Sequence, residues 1–242
     1  MPNSGGAAPI RQDGAAARFG RRIALSLPLL PPPQKNRSPP SDSSPETQAP
    51  AGRTSTEKTY RFEGPEGERT LGDLFGDRSQ LAIYHFMLTP GSHQQCRGCS
   101  FIADHIDAAR QHFEHADLSF AAVSRVPFRR IEAVKARMGW TFPFVSSQGS
   151  DFNFDFGVSF TPEDIAAGRA IYNYGTVIRN SQDMFGVSIF VKDECGAICH
   201  SYSTYHRGAE LLMGALNWLD LVPKGRNEAA GPMNWVRLHD EY

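Results

Sequence analysis

The feature that most constrains this chain is a C-x-x-C motif, Cys96-Arg97-Gly98-Cys99, between an apolar segment and a segment of helical pattern. Residues 81–88 (LAIYHFML) are apolar at both parities, which predicts a central strand covered on both faces. After the motif, apolar side chains recur at helical spacing: Ile102, Ile106, Ala109 and Phe113. The two cysteines are therefore expected where a buried strand leads into a helix.

This position favours redox chemistry at the cysteine pair. A thiol in the first turn of a helix faces unpaired backbone N–H groups and the positive end of the helix dipole, and both stabilise a thiolate. The neighbouring Arg97 adds a positive charge. Because the two sulfurs can meet within one turn, a mixed disulfide on Cys96 can be resolved by Cys99. The sequence predicts Cys96 as the attacking nucleophile and Cys99 as the resolving thiol.

Two other roles for the cysteines stay open at this point. The chain has four cysteines, too few for a disulfide-stapled scaffold of this length. Cys195 and Cys199 could complete a four-cysteine zinc site with the C-x-x-C pair, although the two pairs lie far apart in the sequence. Alternatively, the motif is structural and the protein is a non-catalytic binding or scaffold protein.

His85 is the third candidate catalytic residue. It shares one parity of the predicted central strand with Leu81 and Ile83, and we expect it beneath the cysteine-bearing loop. A buried imidazole there could take the proton of Cys99 during disulfide exchange. The alternative is a core histidine that is satisfied by a backbone carbonyl.

The order of predicted elements indicates an α/β sandwich with a mixed central sheet flanked by helices. A helix at 127–138 starts with a proline and is followed by Gly139. Residues 186–191 and 198–202 flank a turn and predict a hairpin, and an amphipathic helix is expected at 209–221. In such a fold, ligands bind beyond the carboxyl ends of the parallel strands.

Several longer motifs resemble a known bacterial family. They are YHFM, CRGCSF, MGWTFPFVSS, GSDFNFDFGVSF, YSTYHRG and MNWVRLHDEY, and together they span Tyr84–Tyr242. They are similar to the family catalogued as domain of unknown function 899, and the resemblance covers about residues 57–242. Members are usually described as predicted dithiol-disulfide oxidoreductases. The resemblance implies a thioredoxin-like fold and a dithiol activity, with an unknown thiol or disulfide substrate and an unknown electron donor.

Near the C-x-x-C motif, this chain differs from typical thioredoxin-like enzymes and from peroxiredoxins. Thioredoxin-like enzymes hold a cis-proline opposite the dithiol, whereas Phe185-Gly186 stands at that place, and Pro143 is a cis candidate at another strand entry. Thr89 and His93 occupy the positions where a peroxiredoxin has Pro and Thr or Ser, which weakens a peroxidase interpretation.

Three residues are candidate substrate contacts: Arg97, Pro143 and Tyr205. Alternating aromatic residues in 152–160 are more typical of core or lid packing than of a binding cage. If this segment folds over the dithiol, it would supply an apolar rim beside Tyr205.

Composition excludes several function classes. With 25 basic and 26 acidic side chains, the net charge of −1 argues against nucleic-acid binding through bulk charge. No apolar run approaches the ~18 residues of a membrane span. No nucleotide, hydrolase or zincin motif is found, so neither a cofactor nor a resident metal is expected. Assembly into a homo-oligomer stays an open alternative.

Residues 1–56 are rich in proline and serine and lack a regular period, which predicts a disordered tail before a thioredoxin-like domain at 57–242. Arginines precede the apolar run Ile23–Leu30, as in a signal peptide, but Pro28 interrupts that run. A targeting peptide is the alternative interpretation. We expect a cytoplasmic protein.

Overall fold

The structure is a computed structural model that describes residues 54–55 and 58–242. The remainder of the predicted N-terminal tail lies outside the described residues. Thr54–Ser55 form a short strand, β1, which pairs antiparallel with Cys199 and His200.

The strands fall into one large sheet and one small hairpin. They are β2 Arg61–Gly64, β3 Gly67–Thr70, β4 Gln80–His85, β5 Leu118–Ser124, β6 Phe144–Ser146, β7 Ile171–Tyr172, β8 Val177–Ile178, β9 Gly186–Lys192 and β10 Ile198–Tyr205. The large sheet has the order β1-β10-β9-β4-β5-β6-β2-β3, and β7 pairs with β8 separately.

The helices are short. They are α1 Arg97–Asp104, α2 Ile106–His115, α3 Phe128–Met138, α4 Phe152–Asp155, α5 Pro162–Ala166 and α6 Gly214–Leu219. Three further segments are 3-10 helices: Asp73–Phe75, His206–Leu212 and His239–Glu241. In the part of the chain that is described, no helix is long and apolar enough to cross a bilayer.

The centre of the sheet has the thioredoxin-like arrangement, which confirms the predicted fold class. β4, β5 and β6 are parallel neighbours, and β9 and β10 add antiparallel strands on the other side of β4. The chain passes from β4 through α1 and α2 to β5, and α3 leads on to β6. The cysteine motif therefore lies beyond the carboxyl end of the central strand.

β4 is covered on both faces, as its sequence predicts. Ala82, Tyr84 and Phe86 belong to a core that also contains α1. Leu81 and Ile83, which have the opposite parity, belong to a second core with Phe152, Phe156 and Phe190. Because neighbouring side chains of a strand point to opposite faces, these two cores are the two sides of the sheet.

The helix predicted from the spacing after the motif is divided at His105. The His105 ring lies 2.6 Å from the carbonyl oxygen of Phe101, the oxygen that the His105 backbone N–H would use in a regular α-helix. That backbone N–H instead donates to the carbonyl of Ile102 at 3.0 Å. The opposite ring nitrogen accepts the N–H of Ala215 at 3.1 Å, so the break also joins α1 to α6.

Other predicted elements agree with the structure. α3 follows Pro127 and ends at Gly139, which has φ 63 in the left-handed region. The β9–β10 hairpin is present, and the amphipathic segment near the end of the chain becomes a 3-10 helix followed by α6. The aromatic residues in 152–160 lie on α4 and the following turn rather than on a strand.

We predict that Gly186→Ala destabilises the protein. A Cβ at Gly186 would lie 2.5 and 2.8 Å from two ring carbons of Tyr205. The ring cannot easily withdraw, because its hydroxyl donates to the carbonyl of Phe156 and its face contacts Tyr172. Urea unfolding should show a loss of about 1–3 kcal/mol, as is typical of overpacking.

Gly72→Ala is the matched control. Gly72 has helical angles, φ −61 and ψ −39, and a Cβ there would meet its nearest neighbour at an ordinary 3.5 Å. We expect its free energy of unfolding to change by no more than about 0.5 kcal/mol. Equal stability of the two variants would contradict the steric argument.

Candidate dithiol site

Cys96 is the N-cap residue of α1, where its extended backbone turns into the helix. Its sulfur accepts the backbone N–H of Cys99 at 3.3 Å. The side chain thus occupies the place that a serine or aspartate oxygen takes in an ordinary capping interaction. Because the N–H groups of the first turn have no other helical partner, they stabilise negative charge on this sulfur.

The two sulfurs have opposite tendencies to ionise. The pKa of Cys96 is lowered to about 7, mainly by a hydrogen bond from the Cys99 thiol and further by the N–H groups of Cys99 and Gly98. Cys99 is 1% exposed, and burial together with the neighbouring Cys96 raises its pKa well above the ordinary value. Near neutral pH the thiolate form of the pair is therefore well populated, and its charge lies on the more accessible Cys96.

The buried side of the pair is formed by the end of β4. The hydroxyl of Tyr84 and the backbone N–H of Met87 both face the Cys99 sulfur. Tyr84 is fully buried, and its hydroxyl has no hydrogen-bond partner among the described residues. The sequence pattern did not distinguish this tyrosine, although it lies next to His85.

The outer side of the pair is formed by the end of the chain. A Cβ at Gly98 would lie 3.9 Å from the terminal methyl of Met233, so this side chain lies against the turn between the cysteines. The ring of Trp235 contacts Phe101 of α1 edge to face, at 5.8 Å between centroids. The predicted substrate contact Arg97 is exposed and lies 3.8 Å from a carboxylate oxygen of Glu241.

Arg97 contributes less to the site than its position in the motif indicates. Its side chain is 55% exposed and shares its charge with Glu241, so solvent and the ion pair both weaken its field. The pKa of Cys96 is lowered by hydrogen bonds within the motif. Arg97 does stand at the accessible side of the pair, and its role as a substrate contact stays a prediction.

The structure does not place His85 beside Cys99, because His85 lies on the opposite face of β4. Its ring stacks on Phe152 at 5.4 Å, and its Nε2 lies 2.9 Å from the Oγ of Ser188. Ser188 continues through Ser203 to His200, with distances of 2.9 and 2.8 Å. Since Tyr84 points to Cys99, the adjacent His85 must point away from it.

Pro143 and Tyr205 are likewise not brought to the dithiol. Pro143 has the opposite parity to Phe144, which lies in the core beside α1, and the structure has no cis peptide bond among the described residues. Tyr205 is aligned across β9 with His85 and therefore lies on the His85 face, where its hydroxyl donates to the carbonyl of Phe156. Phe152 and Phe156 of the aromatic segment pack on this face as well, whereas Phe160 lies in a third cluster with Tyr172.

The zinc alternative is not supported by the arrangement of the cysteines. Cys199 is aligned through β9 with Gln80 at the start of β4, whereas Cys96 follows the end of that strand. Five residues of strand separate these levels by about 16 Å. Across residues 58–242, no group of three His, Cys, Asp or Glu side chains is close enough to hold a metal ion.

A family model described as "Bacterial protein of unknown function (DUF899)" matches residues 48–242. Comparison with curated proteins gives no match.

Similar backbones occur among solved structures. Peroxidoxin BcpB from Mycobacterium tuberculosis is 16% identical with a TM-score of 0.44, and the match covers 69% of this chain and 97% of that chain. Peroxiredoxin Q from Xanthomonas campestris is 16% identical with a TM-score of 0.41, over 67% and 96% of the two chains. The mitochondrial 2-Cys peroxiredoxin from Plasmodium falciparum is 16% identical with a TM-score of 0.36, over 71% and 93%.

We predict that Cys96 is alkylated with a pH midpoint near its pKa of about 7. Because the Cys99 thiol is the main cause of this low pKa, Cys99→Ala should move the midpoint upward, whereas Cys99→Ser, which keeps a donor, should move it less. The measurement is the rate of iodoacetamide modification against pH. A Cys195→Ser background removes the exposed thiol. An unchanged midpoint in Cys99→Ala would contradict the assignment.

We also predict that His85 makes stability depend on pH. Burial lowers its pKa to about 3, whereas the unfolded chain protonates this histidine below about pH 6.5. The contribution of His85 to the free energy of unfolding is therefore complete above pH 6.5 and is lost as the pH falls toward 3. The free energy of unfolding should decline by up to ~1.4 kcal/mol per pH unit in this range.

His85→Gln keeps a polar group opposite Ser188 but does not titrate. Urea unfolding between pH 6 and 4 should show a shallower decline than in the parent protein, whatever the absolute stability of the variant. Parallel declines would show that His85 is protonated in the folded state.

Proposed function

The chain belongs to the bacterial family of unknown function DUF899, and from its dithiol we propose that it is a thiol-disulfide oxidoreductase in which Cys96 attacks and Cys99 resolves. The observation that carries the proposal is the capping position of the Cys96 sulfur. This sulfur accepts hydrogen bonds from the backbone N–H and from the thiol of Cys99. A reactive thiolate needs this kind of environment, whereas an inert structural thiol is ordinarily protonated and apolar in its surroundings.

The first step is attack of the Cys96 thiolate on a disulfide of the substrate. A bond forms between Cys96 and one substrate sulfur, and the other substrate sulfur leaves as a thiolate that takes a proton from water. In the second step, Cys99 loses its proton and attacks the Cys96 sulfur of the mixed disulfide. The protein disulfide forms, and the second substrate thiolate leaves and takes up that proton.

The two thiols suit these two roles because only one of them is accessible. Cys96 is partly exposed and, with a pKa of about 7, is substantially ionised at neutral pH, so it can attack an external disulfide. Cys99 is buried and protonated, so it does not compete with Cys96 for the substrate. It lies within one helical turn of Cys96 and can therefore attack the mixed disulfide there. An external thiol or dithiol donor then regenerates the reduced pair. We propose the cytoplasm as the compartment.

We predict that Cys96→Ser abolishes disulfide reduction. With dithiothreitol as the electron donor, the parent protein should accelerate insulin reduction, followed by the turbidity of the released chains. Cys99→Ser should lose turnover and accumulate a mixed disulfide on Cys96, which mass spectrometry detects. Because Cys195 is exposed and lies in the turn at the far end of the sheet, Cys195→Ser should keep the full rate.

Two results would overturn the proposal. If the parent protein is no faster than dithiothreitol alone with insulin and with small disulfides, the dithiol is not catalytic and a scaffold role is favoured. If Cys96→Ser retains the parent rate, another group performs the reaction.

A further inference from the structure

The hydroxyl of Tyr84 is a buried polar group to which the two exchange steps described above give no role. Tyr84 is 0% exposed and lies at the end of β4, on the face against which α1 packs. The hydroxyl has no hydrogen-bond partner among the described residues, and it lies close enough to the Cys99 sulfur to lower the pKa of that thiol. Since buried polar groups are nearly always paired, such an exception calls for a chemical reason.

The second exchange step creates a need for this hydroxyl. Cys99 must become anionic in a fully buried position, and burial opposes that change. Donors that point to the sulfur as the charge develops lower this barrier. The backbone N–H of Met87 is one donor, and the Tyr84 hydroxyl is positioned to be the other.

The other side chains near the dithiol cannot donate this hydrogen bond to the Cys99 sulfur. Tyr172, the other buried phenol close to Cys99, already donates to the carbonyl of Phe185 and accepts the N–H of His206. His85 lies on the opposite face of the sheet. Arg97 points to the outer side, where it meets Glu241.

We propose that Tyr84 is a catalytic residue of the second exchange step, in which its hydroxyl donates a hydrogen bond to the Cys99 sulfur as that sulfur becomes anionic. The proposal rests on the proposed thiol-disulfide exchange. Tyr84 keeps its own proton throughout. The electron pair of the Cys99 thiolate forms the new Cys96–Cys99 bond, and the bond between Cys96 and the substrate sulfur breaks. The substrate sulfur leaves with the electron pair of that bond, and the proton of Cys99 is released to it or to water.

The same contact acts in the reverse direction. When a donor thiolate attacks the Cys96 sulfur of the protein disulfide, the Cys96–Cys99 bond breaks and Cys99 is the leaving group. The Tyr84 hydroxyl then stabilises the thiolate that leaves. The hydroxyl should therefore accelerate regeneration as well as resolution, because both directions pass through an anionic Cys99.

The test separates the two exchange steps with an aromatic disulfide, 5,5′-dithiobis(2-nitrobenzoate), followed by stopped-flow absorbance in the Cys195→Ser background. Attack by Cys96 releases one coloured thiolate, and resolution by Cys99 releases a second. In Tyr84→Phe, we expect the first phase within twofold of the parent. The second phase should slow about tenfold or more, with its pH midpoint shifted upward, because a hydrogen bond to a charged acceptor is lost.

Tyr60→Phe is the matched control. Tyr60 is also buried and its hydroxyl is bonded to Asp155 in the core on the other face of the sheet, so neither phase should change. Removing the Tyr84 hydroxyl should not lower the thermal stability of the reduced protein, because that hydroxyl has no other partner to lose.

The outcomes distinguish the two proposals. If the parent releases no second thiolate, the exchange function fails, and the Tyr84 proposal fails with it. If the parent shows both phases and Tyr84→Phe slows neither, or slows both equally without moving the pH midpoint, only the Tyr84 proposal is overturned. If Tyr84→Phe does not fold, Tyr84→3-fluorotyrosine replaces it. This more acidic phenol should move the second-phase midpoint downward, and an unchanged midpoint overturns the proposal.

Discussion

The hydrogen bond between the Cys99 thiol and the Cys96 sulfur is the interaction on which the site depends. It assigns the single negative charge of the pair to Cys96, because the sulfur that accepts also faces the free N–H groups at the start of α1. The remainder of the site keeps this asymmetry. The core excludes water from Cys99, and the helix start gives Cys96 access to solvent.

The central strand β4 divides the protein into two chemically different halves. One face carries Tyr84 and the dithiol helix. The other carries His85 and a chain of hydroxyl and imidazole groups that runs through Ser188 to His200. The sheet backbone separates the two sets, so neither His85 nor His200 faces the cysteines.

The end of the chain completes the outer wall of the site. Asp104, at the last turn of α1, accepts hydrogen bonds from Trp140 and from His239 of the C-terminal segment, each at 2.8 Å. These contacts fix the segment against α1, and Met233 and Trp235 then lie along the helix that begins with the cysteines.

The sequence by itself determined the cysteine pair, its place between a buried strand and a helix, and the mixed α/β fold, because those features depend on local spacing and on apolar periodicity. It did not determine which face of β4 meets the dithiol. A strand that is apolar on both sides has no amphipathic alternation, so Tyr84 and His85 are equivalent until α1 packs against one of them. Pro143 and Tyr205 were misplaced for the same reason: the faces on which they lie are set by pairing between distant strands. The break at His105 also depended on a distant partner, the N–H of Ala215, which only the folded chain brings to the imidazole.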